Sequence, residues 1–308
     1  MRKWEKIMPR FYRKNTKTLH ATVAAVLMLW TQAILAAPVE LFHIHGLSYS
    51  ADGKNLYIPS HFGLAVYENG RWRKAAGPEH DYMGFTATRN ALYSSGHPAP
   101  GSNLVNPFGL IKSTDQGRNW KQLGMAGEAD FHVLAASYNT NAVYVHNLAR
   151  NSWIAFRGLA YTLDDGASWR RARRQNAPEP LALAVHPSRP ELVAIAAQEG
   201  LFLSLNRGDD FEQLAKDIMA STVWFDLNGE QLWYGGVKFT PFLARIDLKT
   251  RQQKFVKLPP LGRDAVAYIA QNPARTDEYA IATFQRNVFI THNGGTDWQL
   301  IAEQGTTR

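Results

Sequence analysis

Apolar residues in this chain fall in short, β-rich runs separated by turn residues, the pattern expected of strands joined by tight connections. Leu181–Val185 and Leu192–Ala196 are two such runs, and they lead into a polar turn. The same order recurs along the chain. Ser113–Trp120 (STDQGRNW), Thr162–Trp169 (TLDDGASW), Ser204–Phe211 (SLNRGDDF) and Thr291–Trp298 (THNGGTDW) share one pattern. Each has Ser/Thr, then Asp/Asn two residues on, Gly two further, and an aromatic three after the Gly. Their starts lie 49, 42 and 87 residues apart. The last gap is two periods of about 43 residues, the length of a four-stranded propeller blade. The missing hairpin falls at Ile246–Phe255 (IDLKTRQQKF), and a sixth is Val66–Trp72 (VYENGRW), where Asn69-Gly70 is a strong turn signal. The expectation is an all-β, six-bladed propeller over residues 37–308, with seven blades as the alternative count.

The repeated box has a structural logic. Its Asp or Asn can accept hydrogen bonds from amides of its own turn. Its Gly permits a positive φ, and its terminal aromatic can bury apolar surface between hairpin and neighbouring strand. Asp115, Gly117 and Trp120; Asp164, Gly166 and Trp169; Asn206, Gly208 and Phe211; and Asn293, Gly295 and Trp298 are therefore read as fold residues, not catalytic ones.

Ahead of the repeats, a basic stretch (Met1 to His20) precedes an apolar run, Ala21–Ala36, closed by Ala36-Ala37. That order is a secretory signal peptide with cleavage expected after Ala36. The mature chain is then periplasmic or secreted and not integral to the membrane. The leader also changes the charge argument. Beyond residue 36 lie 27 of the 34 Lys/Arg and 25 of the 26 Asp/Glu, a net of +2. That balance gives no reason to expect a nucleic-acid partner. The cluster Arg170, Arg171, Arg173 and Arg174 reads as a solvated outer strand. The chain has no cysteine, which removes thiolate metal sites and Cys nucleophiles.

Candidate chemistry gathers at one end of the blades. In a propeller, the start of each innermost strand and the turn between second and third strands share a face. Aligned as repeats, His43, Asp81 and Asp130 occupy one position before or within an inner strand. His45, Met83 and His132 occupy another, two residues on and therefore on the same side of the strand. The turns add His61 and His97, with His146 two residues off register. Five histidines (His43, His45, His61, His97, His132) at repeating positions point to a transition-metal site, with Asp81, Met83, Asp130 and His146 as further candidates. Imidazole donors, Met83 and the absence of thiols favour copper, with zinc possible. Insertions Pro98–Phe108 and Asn147–Arg157 exceed tight-turn lengths on this face, which leaves two readings open: a rim or lid over the site, or ordinary surface loops.

The box resembles the Asp-box (BNR) propellers, among them sialidases, sortilin-type receptors and photosystem assembly factors. HIHGL, SHFGL, DYMGF, SGHP and EADFH resemble a group of bacterial exported propellers labelled sialidase-like or glycosylhydrolase. The resemblance implies the fold and leaves three functions open. The first is metal binding, in metal handling or metalloenzyme assembly with a periplasmic protein or small ligand as partner. The second is sialidase-like glycoside hydrolysis, and the third is a metal-free interaction scaffold. An Arg-Ile-Pro-like opening motif and an assignable arginine triad, which a sialidase would carry, are not found in these residues. The expectation therefore leans away from an enzyme.

Overall fold

In the computed structural model, residues 39–172 and 177–308 are described. The expected leader with its expected cleavage site, and Arg173 and Arg174, lie outside them. The described chain is all strand and turn. Blade 1 holds β1 (Ser48–Tyr49), β2 (Asn55–Ser60), β3 (Gly63–Glu68) and β4 (Arg71–Lys74). Blade 2 holds β5 (Asp81–Ala87), β6 (Leu92–His97), β7 (Leu110–Ser113) and β8 (Lys121–Gly124). Blade 3 holds β9 (Leu134–Ala136), β10 (Val143–Asn147), β11 (Gly158–Thr162) and β12 (Arg170–Arg171). Blade 4 holds β13 (Pro180–Val185), β14 (Val193–Ala197), β15 (Gly200–Ser204) and β16 (Glu212–Lys216). Blade 5 holds β17 (Met219–Phe225), β18 (Gln231–Val237), β19 (Pro241–Asp247) and β20 (Gln253–Val256). Blade 6 holds β21 (Val266–Gln271), β22 (Tyr279–Thr283), β23 (Val288–Thr291) and β24 (Gln299–Glu303), with a short fifth strand, β25 (Thr306–Thr307).

Each sheet is an antiparallel meander in chain order. The first strands touch one another in a closed ring, β1 through β5, β9, β13, β17 and β21 back to β1. The fold is a six-bladed β-propeller. No helix among the described residues is long and apolar enough to cross a membrane.

The core is divided into six apolar clusters, each set between two neighbouring blades. The boxes lock these seams. In blade 2, Ser113 Oγ donates to Asp115 Oδ1 (2.8 Å) and accepts from Gly117 N (2.9 Å), while Asp115 Oδ1 accepts from Asn119 N (2.9 Å). The same set recurs on Asp164 with Thr162, Gly166 and Ser168. It recurs with Asn in place of Asp at Asn206 and Asn293, because the side-chain carbonyl alone makes the turn. Gly208 (φ +89°) brings the turn so close to blade 3 that a Cβ there would lie 2.5 Å from Leu159 Cδ2. The terminal aromatics Trp120, Trp169, Phe211 and Trp298 are half-buried against the clusters of the preceding seams. In the degenerate first hairpin Trp72 takes this role, packing on the cluster between blades 1 and 6 and donating from Nε1 to the Ile301 carbonyl (3.1 Å).

The ring closes at that seam. Glu40 bridges Thr306, and Leu41 N donates to the Gly305 carbonyl (2.8 Å). The meander topology puts the box hairpins at one end of the blades, and the starts of the inner strands with the second-to-third-strand turns at the other.

Candidate functional site

The strand registers support the repeat alignment of the site residues. Tyr57 of β2 faces Ser48, and Tyr93 of β6 faces Thr86. Superposing these pairs makes His43 equivalent to Asp81, and His45 to Met83. In blade 3 the pairing Val143↔Ala136, set against Leu92↔Ala87, carries the same two positions to Asp130 and His132.

Backbone pairing explains why the histidines of blade 1 meet. The segment before β1 continues alongside the end of β2: His45 N donates to the Pro59 carbonyl (3.1 Å), and His61 N to the Phe42 carbonyl (3.2 Å). His43 sits in this segment with φ +47°. The ring centroids of His43 and His61 are 4.6 Å apart, and those of His45 and His61 4.9 Å. One ring nitrogen from each of His43, His45 and His61 lies within 4.8 Å of the other two. A fourth group comes from blade 2. Gly63 N donates to the His80 carbonyl (3.0 Å), which sets Asp81, the first residue of β5, beside the trio. Asp81 Oδ2 lies 2.6 Å from His61 Nδ1, and Oδ1 lies 3.6 Å from His45 Nε2.

A second cluster repeats the arrangement one blade on. Gly109 N donates to the Ala129 carbonyl (3.1 Å), and Phe131 N to Ser95 Oγ (2.9 Å), which docks the Asp130 segment against blade 2. Asp130 Oδ2 lies 2.7 Å from His132 Nε2 and 3.1 Å from His97 Nε2. The remaining nitrogen of His97 faces Asn106 Oδ1 at 2.7 Å. The five histidines thus meet around two aspartates, as a trio on Asp81 and a pair on Asp130, rather than around one point.

The electrostatics of the clusters differ. Burial pushes the His45 imidazole down to about 4, against the pull of Asp81, and keeps it neutral with a lone pair to offer. The hydrogen bond to Asp130 raises His132 and favours its imidazolium form. His45 Nε2, Asp81 Oδ1 and Asp130 Oδ1 are each buried with no hydrogen-bond partner among the described residues. Buried polar atoms in native proteins are overwhelmingly satisfied, so three orphans in adjoining clusters call for a further group.

Other candidates stand apart. Met83 is buried (7 % exposed), and its carbonyl accepts from Ser94 Oγ. His146 is buried between blades 3 and 4, 3.6 Å from Glu179. The register puts Leu148, not His146, at the position of His61 and His97. The Pro98–Phe108 insertion supplies Asn106, which sequence reasoning missed because nothing in its own segment distinguishes it. The 147–157 insertion is tied down by Glu128, which accepts from Ser152 N and Oγ (both 2.6 Å). His80, His186 and His292 serve the fold: His80 Nδ1 accepts from Ala99 N, His186 faces the Gly229 carbonyl, and His292 pairs with Glu278.

No protein-family model matches this chain, and no curated protein matches it in sequence. Solved structures do. The GH74 enzyme of Niastella koreensis is similar over 86% of this chain and 46% of its own (15% identity, TM-score 0.60). An ancestral GH74 enzyme is similar over 86% and 39% (14% identity, TM-score 0.52). This chain therefore spans less than half of either enzyme. YCF48 bound to D1 peptide is similar over 86% of this chain and 83% of its own (15% identity, TM-score 0.50). At these identities the likeness is one of fold alone.

Proposed function

We propose that this propeller is an exported metal-binding protein of the periplasm or extracellular space. Its trio His43, His45 and His61 holds one transition-metal ion, copper in preference to zinc, in metal handling or metalloenzyme assembly. The observation that carries this reading is the buried, orphaned Nε2 of a neutral, half-buried His45 within a group whose three donor nitrogens span 4.8 Å or less. Nitrogen ligands at about 2.0–2.1 Å from an ion stand at most about 4.2 Å apart, so the trio needs only a small contraction. Exposed His43 is the member free to swing. Asp81 supports the same reading. By engaging His61 Nδ1 it leaves Nε2 as the donor, the arrangement by which carboxylates orient metal-binding histidines. Copper over zinc rests on the imidazole donors, the cysteine-free composition and the higher intrinsic affinity of Cu(II) for nitrogen sites. Glycoside hydrolysis is the weaker reading, since Asp81 and Asp130, the carboxylates within the histidine clusters, are both engaged by imidazoles.

The test is titration of the untagged mature chain with Cu(II) and Zn(II). One equivalent should bind, with copper displacing zinc and the Cu(II) spectrum showing nitrogen ligation. His45→Ala with His61→Ala should abolish uptake, whereas His146→Ala should not. Absence of stoichiometric uptake, or uptake indifferent to the double variant, overturns the proposal.

A further inference from the structure

Beside the trio, the seam where the two ends of the propeller chain meet opens into a cavity of about 610 Å³. One wall is His43 and His45; the facing wall is the turn between β22 and β23, carrying Gln285 and Arg286, together with Gln304 of the last hairpin. The volume is in the range of small-molecule sites. The lining chemistry is one-sided: it includes no carboxylate. Tyr268 adds a phenol that burial pushes up to about 12, so it stays a hydroxyl donor. Among the described residues no carboxylate pairs with the Arg286 guanidinium. It lies instead over Gly305, where a Cβ would stand 3.5 Å from Nε and Cζ. Glycine at 305 is required by its positive φ and by the Leu41 carbonyl, which a Cβ would approach to 2.6 Å.

The arginine-bearing turn is held from behind. Buried Asp264 accepts from Ala265 N (2.8 Å), Gln285 N (3.1 Å) and Asn287 Nδ2 (3.2 Å). Gln304 N donates to Asn287 Oδ1 (3.0 Å), and Gly305 N to the Arg286 carbonyl (2.9 Å). Both walls are thus fixed by backbone bonds, and they present a guanidinium, two carboxamides and a phenol to the same space. A guanidinium fork with adjoining neutral donors matches a carboxylate in charge and geometry.

We propose that this cavity is a subsite for a small organic acid. Its carboxylate meets Arg286, and a second donor group reaches the ion held by the trio. The second contact rests on the metal reading above; the Arg286 contact does not. Succinate is a suitable probe, with succinamide as its uncharged control, titrated calorimetrically into the metal-free and copper-loaded chain. Succinate should saturate at one equivalent in both states, more tightly in the loaded one, and should weaken as salt is raised. Succinamide should not bind. Arg286→Gln should lower succinate affinity tenfold or more in both states while copper uptake is unchanged. Arg286→Lys should keep part of the affinity, which separates lost charge from a lost fold. His61→Ala, outside the cavity lining, should remove only the gain due to copper. If the chain takes up no copper yet binds succinate through Arg286, the subsite stands and the metal reading falls. If succinate binds in neither state, or binds equally well to Arg286→Gln, the subsite is wrong whatever the metal does.

Discussion

Asp81→Asn isolates the orienting role of the carboxylate, because it removes a charge with almost no change of shape. In the native chain Oδ2 lies 2.6 Å from His61 Nδ1, fixing the tautomer that leaves Nε2 free. An asparagine at 81 has two ways to sit, and both work against metal uptake. With its amide nitrogen toward His61 it donates to Nδ1, which moves the ring proton to Nε2, the atom that must ligate. With its amide oxygen toward His61 the tautomer survives on a weaker, uncharged bond. The amide nitrogen then faces His45 Nε2, where the carboxylate oxygen stands 3.6 Å away, and competes with the ion for that lone pair. Loss of an orienting partner of this kind costs about 10–100-fold in metal affinity, or about 1.4–2.7 kcal/mol. Competition against a chelator of known affinity would measure it. The metal-free fold should be indifferent, since Asp81 Oδ1 is already unsatisfied and the amide nitrogen adds a donor there. Thermal unfolding without metal should move by no more than about 2 °C. Asp130→Asn, one blade away, should leave the trio's affinity alone. An affinity for Asp81→Asn within threefold of the native value would refute the orienting role. A matching loss in Asp130→Asn would mean that the two clusters act as one site.

Three further outcomes follow from the fold. The carboxyls of Asp115 and Asp164 are held down to about 2, the first chiefly by the amide of Asn119 and the second chiefly by the hydroxyl of Ser168. Because they are depressed, their contribution is present above about pH 4, the unfolded value, and is lost as pH falls toward 2. Urea unfolding of the double variant Asp115→Asn, Asp164→Asn should therefore depend less on pH across that window, and an unchanged slope would count against the box reading. Gly208→Ala should destabilise by about 2–4 kcal/mol through backbone strain and the clash with Leu159. Gly70→Ala, also at positive φ but with nothing within 4 Å of its Cβ, should cost about 1 kcal/mol; equal losses in urea melts would show that packing is not the difference. Trp72→Ala should cost about 2–3 kcal/mol, less than a fully buried Trp because the ring is half-buried. Calorimetry showing no loss would remove Trp72 from the closing seam.

How far each feature could be read from sequence depended on its range. The boxes are local: Ser113, Asp115, Gly117 and Asn119 bond within a single turn, so their spacing carries the whole geometry. The degenerate hairpins at 66–72 and 246–255 were legible from the period alone. The equivalence of His43, Asp81 and Asp130 also survives, because every blade pairs its first two strands in one register. The division of the histidines between Asp81 and Asp130 was not legible. It depends on bonds between blades, such as Gly63 to His80 and Gly109 to Ala129, that no single repeat contains. His146 looked like a displaced member, but it stands two residues short of the register position and is buried beside Glu179, at the start of blade 4. The pairing of Leu41 with Gly305, and the place of Arg286 near His43, join opposite ends of the chain and leave no local trace.

That closing seam gives the two halves of the site different birthdays. The trio and its aspartate lie between His43 and Asp81 in sequence, in the first blade and the opening strand of the second, although the segment bearing His43 and His45 is also tied to Thr306 and Gly305. The facing wall of the cavity waits for Arg286 and Gln304, among the last residues made. A nascent chain of two blades thus already carries His43, His45, His61 and Asp81, whereas the proposed acid subsite is complete only once the ring has shut. If both proposals hold, loss of the carboxyl end would remove the acid subsite outright while every histidine of the trio stays in the chain, its segment freed from the seam that anchors it.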